Sequence, residues 1–179
     1  MDMNAVMGRL MRVLRFDASV YREVAADTAA MPQAGLIVTV AVLVAGLPNL
    51  VNIGIGAYVV LALIAIVGFF IYSAVAAGVA KMAFQGKTDF QEMGRTLGYA
   101  YAWYALGVLA LIPFGGGLLA WIGSIVAWIA GAIALRESAE FDNVKAFITI
   151  IIAGIIAAFV TGFVGAPLLL MLGFGSAAP

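Results

Sequence analysis

Three stretches of this chain contain no Asp, Glu, Lys, Arg or His. They run from Thr28 to Ala80 (53 residues), from Thr96 to Leu135 (40 residues) and from Ala146 to Pro179 (34 residues). Water cannot solvate that much apolar chain, and a core formed by 179 residues cannot hide it. A bilayer can, because a helix of about 20 apolar residues crosses about 30 Å of hydrocarbon. The chain therefore reads as an all-α, polytopic integral membrane protein. The composition agrees, with 65% hydrophobic and 10% charged residues, against about 25% charged in soluble domains.

Turn residues divide the runs. Pro48 to Gly56 splits the first, Pro113-Phe-Gly-Gly-Gly117 splits the second, and the third stays whole apart from a late Pro167. The expected spans are Ala34–Val51, Gly56–Ala80, Gly94–Ile112, Gly117–Leu135 and Ala146–Leu172. Five transmembrane helices are thus predicted, in a membrane domain covering 34–179, preceded by a segment covering 1–33. Helices are expected rather than a barrel because the runs show no alternation. No cleavable leader is expected, since a mixed segment precedes the first apolar run.

The cations order these spans. Arg9, Arg12, Arg15 and Arg22 precede the first span, Lys81, Lys87 and Arg95 separate the second from the third, and Arg136 and Lys145 separate the fourth from the fifth. Those are all nine Lys and Arg. Two spans lie between each basic segment and the next, so all can share one side. The positive-inside rule then predicts a cytoplasmic N-terminus and an outer C-terminus.

Within residues 1–33, Met7, Leu10, Met11 and Leu14 form a helical apolar stripe, with arginines off it. This predicts an amphipathic surface helix, with Arg9, Arg12, Arg15 and Arg22 facing anionic headgroups. A second short helix is expected after it, capped by Asp17 or Ser19.

Reactive groups are scarce. Without Cys or His there is no thiolate, imidazole base or common metal ligand. The span interiors hold no ionisable carboxylate or cation of the kind that marks proton and ion routes. Gly86-Lys-Thr88 resembles the end of a phosphate-binding loop, but Lys81 stands where that loop needs glycine, and a capped turn before span three is expected instead. No catalytic, cofactor or metal site is predicted, and zero net charge gives no reason to expect nucleic acid. What the spans do hold are small-residue rows that allow close helix packing: Gly94 and Gly98, Gly123, Ala127 and Gly131, and Gly154, Ala158 and Gly162. They also hold an aromatic cluster, Tyr99, Tyr101, Trp103 and Tyr104. Tyr99 falls near the inner interface but Tyr104 deeper, so an interfacial belt does not cover the whole cluster, and Tyr99, Tyr101 and Tyr104 are a candidate pocket.

The order of these features resembles bacterial members of the Yip (Ypt/Rab-interacting protein) domain family over nearly the whole chain. The resemblance rests on Arg15-Phe-Asp-Ala-Ser-Val-Tyr-Arg-Glu-Val24, Phe84-Gln-Gly-Lys-Thr-Asp-Phe90, Leu97-Gly-Tyr-Ala-Tyr-Ala102, Ile112-Pro-Phe-Gly-Gly-Gly117 and Ala134-Leu-Arg-Glu137. Trp103 stands near where the bacterial pattern carries a proline. The resemblance implies a five-helix membrane domain in the bacterial cytoplasmic membrane. Eukaryotic relatives associate with prenylated small GTPases, but the acidic-aromatic motif they carry before the first span is absent here.

The expected function is a non-enzymatic membrane scaffold. Its partners would be the bilayer with its anionic headgroups, and another copy of itself or a second membrane protein. Two alternatives stand beside it. One is a pore or carrier for an uncharged or lipid-like molecule, drawing on the tyrosines with Asn49 and Asn52. The other is an accessory subunit of a membrane complex.

Overall fold

A computed structural model describes residues 2–174. The side chain of Asn52 and the tail from 175 onward lie outside the described residues. Two short helices open the chain, α1 (Met3–Val13) and α2 (Ser19–Ala26). The long helices α3 (Ala30–Val51) and α4 (Ile53–Phe84) follow. Then come α5 (Phe90–Ala100), a 3₁₀ segment (Tyr101–Leu111), α6 (Gly116–Ala139) and α7 (Asn143–Met171).

Local chemistry sets the boundaries. The Asp2 carboxylate accepts from the Asn4 amide at 2.9 Å, Asp89 from Glu92 at 2.8 Å and Asp142 from Lys145 at 2.9 Å. Each satisfies an orphan donor at a helix start. Asp17 rather than Ser19 supplies the acceptor ahead of α2, taking the Ser19 amide at 3.0 Å. Gly86, Lys87 and Thr88 form the turn before α5, consistent with a capped helix start. The fold of α3 back onto α4 is made at Gly54, whose φ of 76° and ψ of 166° are open essentially to glycine alone. The Tyr58 hydroxyl then ties the two arms, donating to the Leu43 carbonyl at 2.7 Å.

Four helices, α3, α4, α6 and α7, are long and apolar enough to cross a bilayer. The expectation of five such helices is corrected. The predicted span Gly94–Ile112 is not one continuous α-helix: it divides at Tyr101 into α5 and the 3₁₀ segment. A physical reason is visible in the neighbours. Residues 101–111 wedge between α3 and α6, and a β-carbon built at Gly107 would lie 2.9 Å from that of Ala45 on α3. The 11 residues extend about 22 Å at about 2.0 Å per residue in 3₁₀ geometry, against about 16 Å as α-helix. The stretched form reaches about 6 Å farther than the same residues would as α-helix.

Three connections meet at one end of that bundle. Arg22 of α2 pairs with Glu137 at 3.2 Å, and Lys87 pairs with Glu140 at 3.1 Å. Phe84 and Phe141 meet edge to face at 5.8 Å. The buried core concentrates there, with Val13, Val20, Tyr21, Val24, Met93, Leu97, Tyr99 and Leu135 almost fully enclosed. Away from it, the outward faces of α4, α6 and α7 carry Leu63, Val67, Trp121, Ile129, Phe159 and Phe163 in the open. A soluble protein of this size would not show so large an apolar surface, whereas lipid tails solvate it.

Candidate functional site

Two regions gather the polar chemistry: a clamp at the cation-bearing end and a cavity inside the bundle. The clamp is built by α1 and α2. Arg9 lies between them and donates through Nε to Glu23 at 2.9 Å, while its Nη1 reaches both Asp27 at 2.8 Å and Gln33 at 3.1 Å. The same Gln33 oxygen accepts the Tyr99 hydroxyl from α5. Arg12 pairs with Asp17 at 2.8 Å and with Glu23 at 2.5 Å, and donates to Ser19 at 2.9 Å. Arg95, only 6% exposed, donates to the Ala25 carbonyl at 2.6 Å, and its buried Nε has no partner among the described residues. Phe16, in a left-handed backbone conformation, stacks on Trp103 at 5.1 Å. Trp103, at the position noted for proline, thus serves as the seat for the end of α1.

These pairs shift the titrations. Asp17 is held down to about 2 by its hydrogen bonds from Ser19 and then from Arg12. Glu23 is lowered by Arg12 and Arg9, and Asp27 by Arg9. Burial is the largest influence on Arg9 and opposes its charge, but the bonds to Glu23 and Asp27 overcome it and its pKa rises. Burial alone raises the Tyr21 phenol.

Of the four arginines expected at headgroups, Arg9, Arg12 and Arg22 are therefore held in ion pairs, and Arg15 is exposed with no ion-pair partner among the described residues. The exposed edge of α1 is apolar instead: Met3, Met7, Met11 and Leu14 face outward, while Val6 and Val13 turn inward. The first 33 residues contain Asp2, Asp17, Glu23 and Asp27, in balance with the four arginines. That balance was the signal available in the sequence for internal pairing.

The cavity, of about 320 Å³, lies among α4, α5, the 3₁₀ segment, α6 and α7. Tyr101 and Tyr104 line it and stack on one another at 4.9 Å. They stack because residues three apart eclipse in 3₁₀ geometry. Phe69 meets Tyr101 edge to face at 5.1 Å, and Tyr72, Trp128 and Thr161 complete the polar and aromatic lining. Tyr99, expected in the same pocket, faces the clamp instead, because the α-helical turn at 99–101 rotates it away. Tyr72 and Thr161 were not singled out: nothing in their own sequence neighbourhood says that α4 and α7 bring them to Tyr101. A smaller cavity of about 220 Å³, lined by Asn49, Tyr58 and Ala62, shares Tyr104 and Ala65 with the first.

The small residues divide between packing and lining. A β-carbon built at Gly98 would lie 2.6 Å from that of Ala34, and one at Gly123 would lie 2.6 Å from that of Leu106, so both positions let helices touch. Gly94 lies against Met31 and Gly131 against Ile150. Ala127, Gly131, Gly154 and Ala158 line the cavity. Gly162 has open space before it.

A family model for the Yip1 domain matches residues 11–165, from within α1 to near the end of α7. The chain belongs to the Yip1 domain family. The match takes in the 3₁₀ segment, the cavity and the clamp from residue 11 onward, while Arg9 and the first two turns of α1 precede it. With its apolar helices the chain is a transmembrane protein of that family. No curated protein and no solved structure matches it.

Proposed function

We propose that this Yip1-domain protein is a non-enzymatic scaffold of the bacterial cytoplasmic membrane. In this reading it makes five passes, with the split helix Phe90–Leu111 as the third, the N-terminus cytoplasmic and the C-terminus outside. Helix lengths support the fifth pass. α6 has 24 residues, about 36 Å at 1.5 Å per residue, so its start lies at the far end of the bundle from Glu137. The segment from Phe90 must cover that distance.

One observation carries the scaffold reading: α1 is clamped to the bundle with its methionine edge outward. Ion pairs of Arg9 and Arg12 fix the helix pose, and Met3, Met7, Met11 and Leu14 then meet the inner leaflet as an apolar strip, with Arg15 beside it for anionic headgroups. Methionine suits such a surface because its flexible thioether adapts to varied contacts. Self-association or binding to another membrane protein would use the outer half of α7, where Gly162 lies open between exposed Phe159 and Phe163.

The chain has no cysteine, so a single Met7→Cys probe is unambiguous. The full protein labelled there with an environment-sensitive dye is expected to shift to the blue when moved from detergent into anionic bilayers. An unchanged, water-like emission in both would end the surface-helix reading.

A further inference from the structure

We propose that the cavity between α4, the 3₁₀ segment, α6 and α7 is a binding site for an uncharged lipid whose head carries hydrogen-bond-accepting carbonyl oxygen. The observation is a set of donors without acceptors. The hydroxyls of Tyr72, Tyr101, Tyr104 and Thr161 all belong to residues lining this cavity, and among the described residues none has a hydrogen-bond partner. By contrast, the neighbouring hydroxyls of Thr39, Ser73 and Thr96 each bond to a carbonyl of their own helix. The Tyr101 and Tyr104 rings stack at 4.9 Å and share the cavity wall with Tyr72 and Thr161, so the four donors belong to one enclosure.

Their depth gives this arrangement its meaning. Tyr72 stands nine residues from Lys81, and Tyr104 nine from Arg95. At 1.5–2.0 Å per residue both lie about 14–18 Å inside the cation-bearing end. Hydroxyls held there in hydrocarbon cost free energy unless something accepts their protons.

The lining also selects the ligand. It contains no Asp, Glu, Lys or Arg, so a charged head would find no counter-charge. Phe69, Tyr101, Tyr104 and Trp128 offer flat apolar walls to a planar group. The volume sits at the small end of ligand pockets, about 300–1,000 Å³. It holds a head or a ring and not a whole lipid, so the tail leaves through the open side into the bilayer.

Two kinds of membrane lipid supply this chemistry, an isoprenoid quinone and a neutral glyceride, and the test separates them. Full-length protein in lipid nanodiscs would be titrated with a decyl-tailed benzoquinone and, separately, with dioleoylglycerol, with bound ligand counted by native mass spectrometry. Saturable binding of one of them, weakened at least tenfold in a Tyr72→Phe, Tyr101→Phe, Tyr104→Phe protein, is the expected result. Those changes remove three hydroxyls and keep the rings and their stacking. Ala158→Leu, which fills the cavity and leaves the hydroxyls, should weaken binding similarly, while Val67→Leu, on the outward face of α4 and outside the cavity, should not. Preference for the quinone assigns a ring to the aromatic walls, and preference for the glyceride assigns ester carbonyls. Failure of both ligands to bind, or binding indifferent to the lost hydroxyls, overturns the proposal. Neither result bears on the membrane contact of α1, which is read out at Met7.

Discussion

Arg9 is the residue on which the clamp depends. It joins α1 to Glu23 and Asp27 on and after α2, and to Gln33 at the start of α3. Charge-assisted bonds contribute about 1.5–3 kcal/mol when their loss strands a buried partner. Glu23 and Asp27 can both still reach water, so the lower end applies, and Arg9→Leu is expected to weaken docking by about 1–2 kcal/mol. Trypsin cleavage after exposed Arg15 should then speed up about 5- to 30-fold, and an unchanged rate would contradict the role given to Arg9. Acid should act on the same contacts. Asp17, Glu23 and Asp27 all have lowered pKa values when docked. Their contribution is complete above their free values, 3.8 for Asp and 4.5 for Glu, and is lost as pH falls through the docked values, about 2 for Asp17. With Trp121 and Trp128 replaced by Phe, emission from Trp103, seated on Phe16, should hold from pH 7 to about 5 and change below about 4. A transition at neutral pH would rule out these carboxylates. Pairings of this kind were only half legible beforehand: the stripe Met7, Leu10, Met11 and Leu14 identifies the helix, but local sequence cannot say that Glu23 folds back onto Arg9.

At the scale of elements, the helix contacts set the sharpest expectations. Gly98 faces Ala34 so closely that an added methyl would meet both its side chain and its backbone. Gly98→Ala is therefore expected to cost about 1–3 kcal/mol, whereas Gly162→Ala, facing open space, should be neutral. Thermal unfolding in nanodiscs distinguishes the two, and equal effects would refute the packing assignment. Gly54→Ala should cost about 1–3 kcal/mol for a different reason, the backbone conformation at the α3–α4 reversal. The turns at Pro48–Gly56 and Pro113–Gly117 could be read from composition, since proline and glycine break helices wherever they are placed. The division of the third predicted span could not. Gly94–Ile112 has the length and hydropathy of an ordinary helix, and what stretches its second half is the pressure of α3 and α6 on either side. The same stretch decides the cavity, because Tyr101 and Tyr104 eclipse only in 3₁₀ geometry, and it explains why Tyr99, on the α-helical side of the change, points to the clamp.

For the whole molecule, charge-free length and the spacing of nine cations were enough to place the chain in a bilayer and to put its basic connections together. The contacts of Arg22 with Glu137 and of Lys87 with Glu140 realise that grouping in three dimensions. The full lining of the cavity was not readable, because its walls come from four separated stretches of the sequence. The account as a whole stands on the chain passing through the membrane an odd number of times with all basic connections on one face. Single-cysteine variants at Lys87, Glu140 and Phe114, probed with a membrane-impermeant maleimide in sealed right-side-out and inverted vesicles, test this directly. Lys87→Cys and Glu140→Cys should react only in inverted vesicles, and Phe114→Cys, in a fully exposed turn, only in right-side-out ones. Reaction of Phe114→Cys from the same side as Lys87→Cys would mean that the split helix does not cross, and the account would fail.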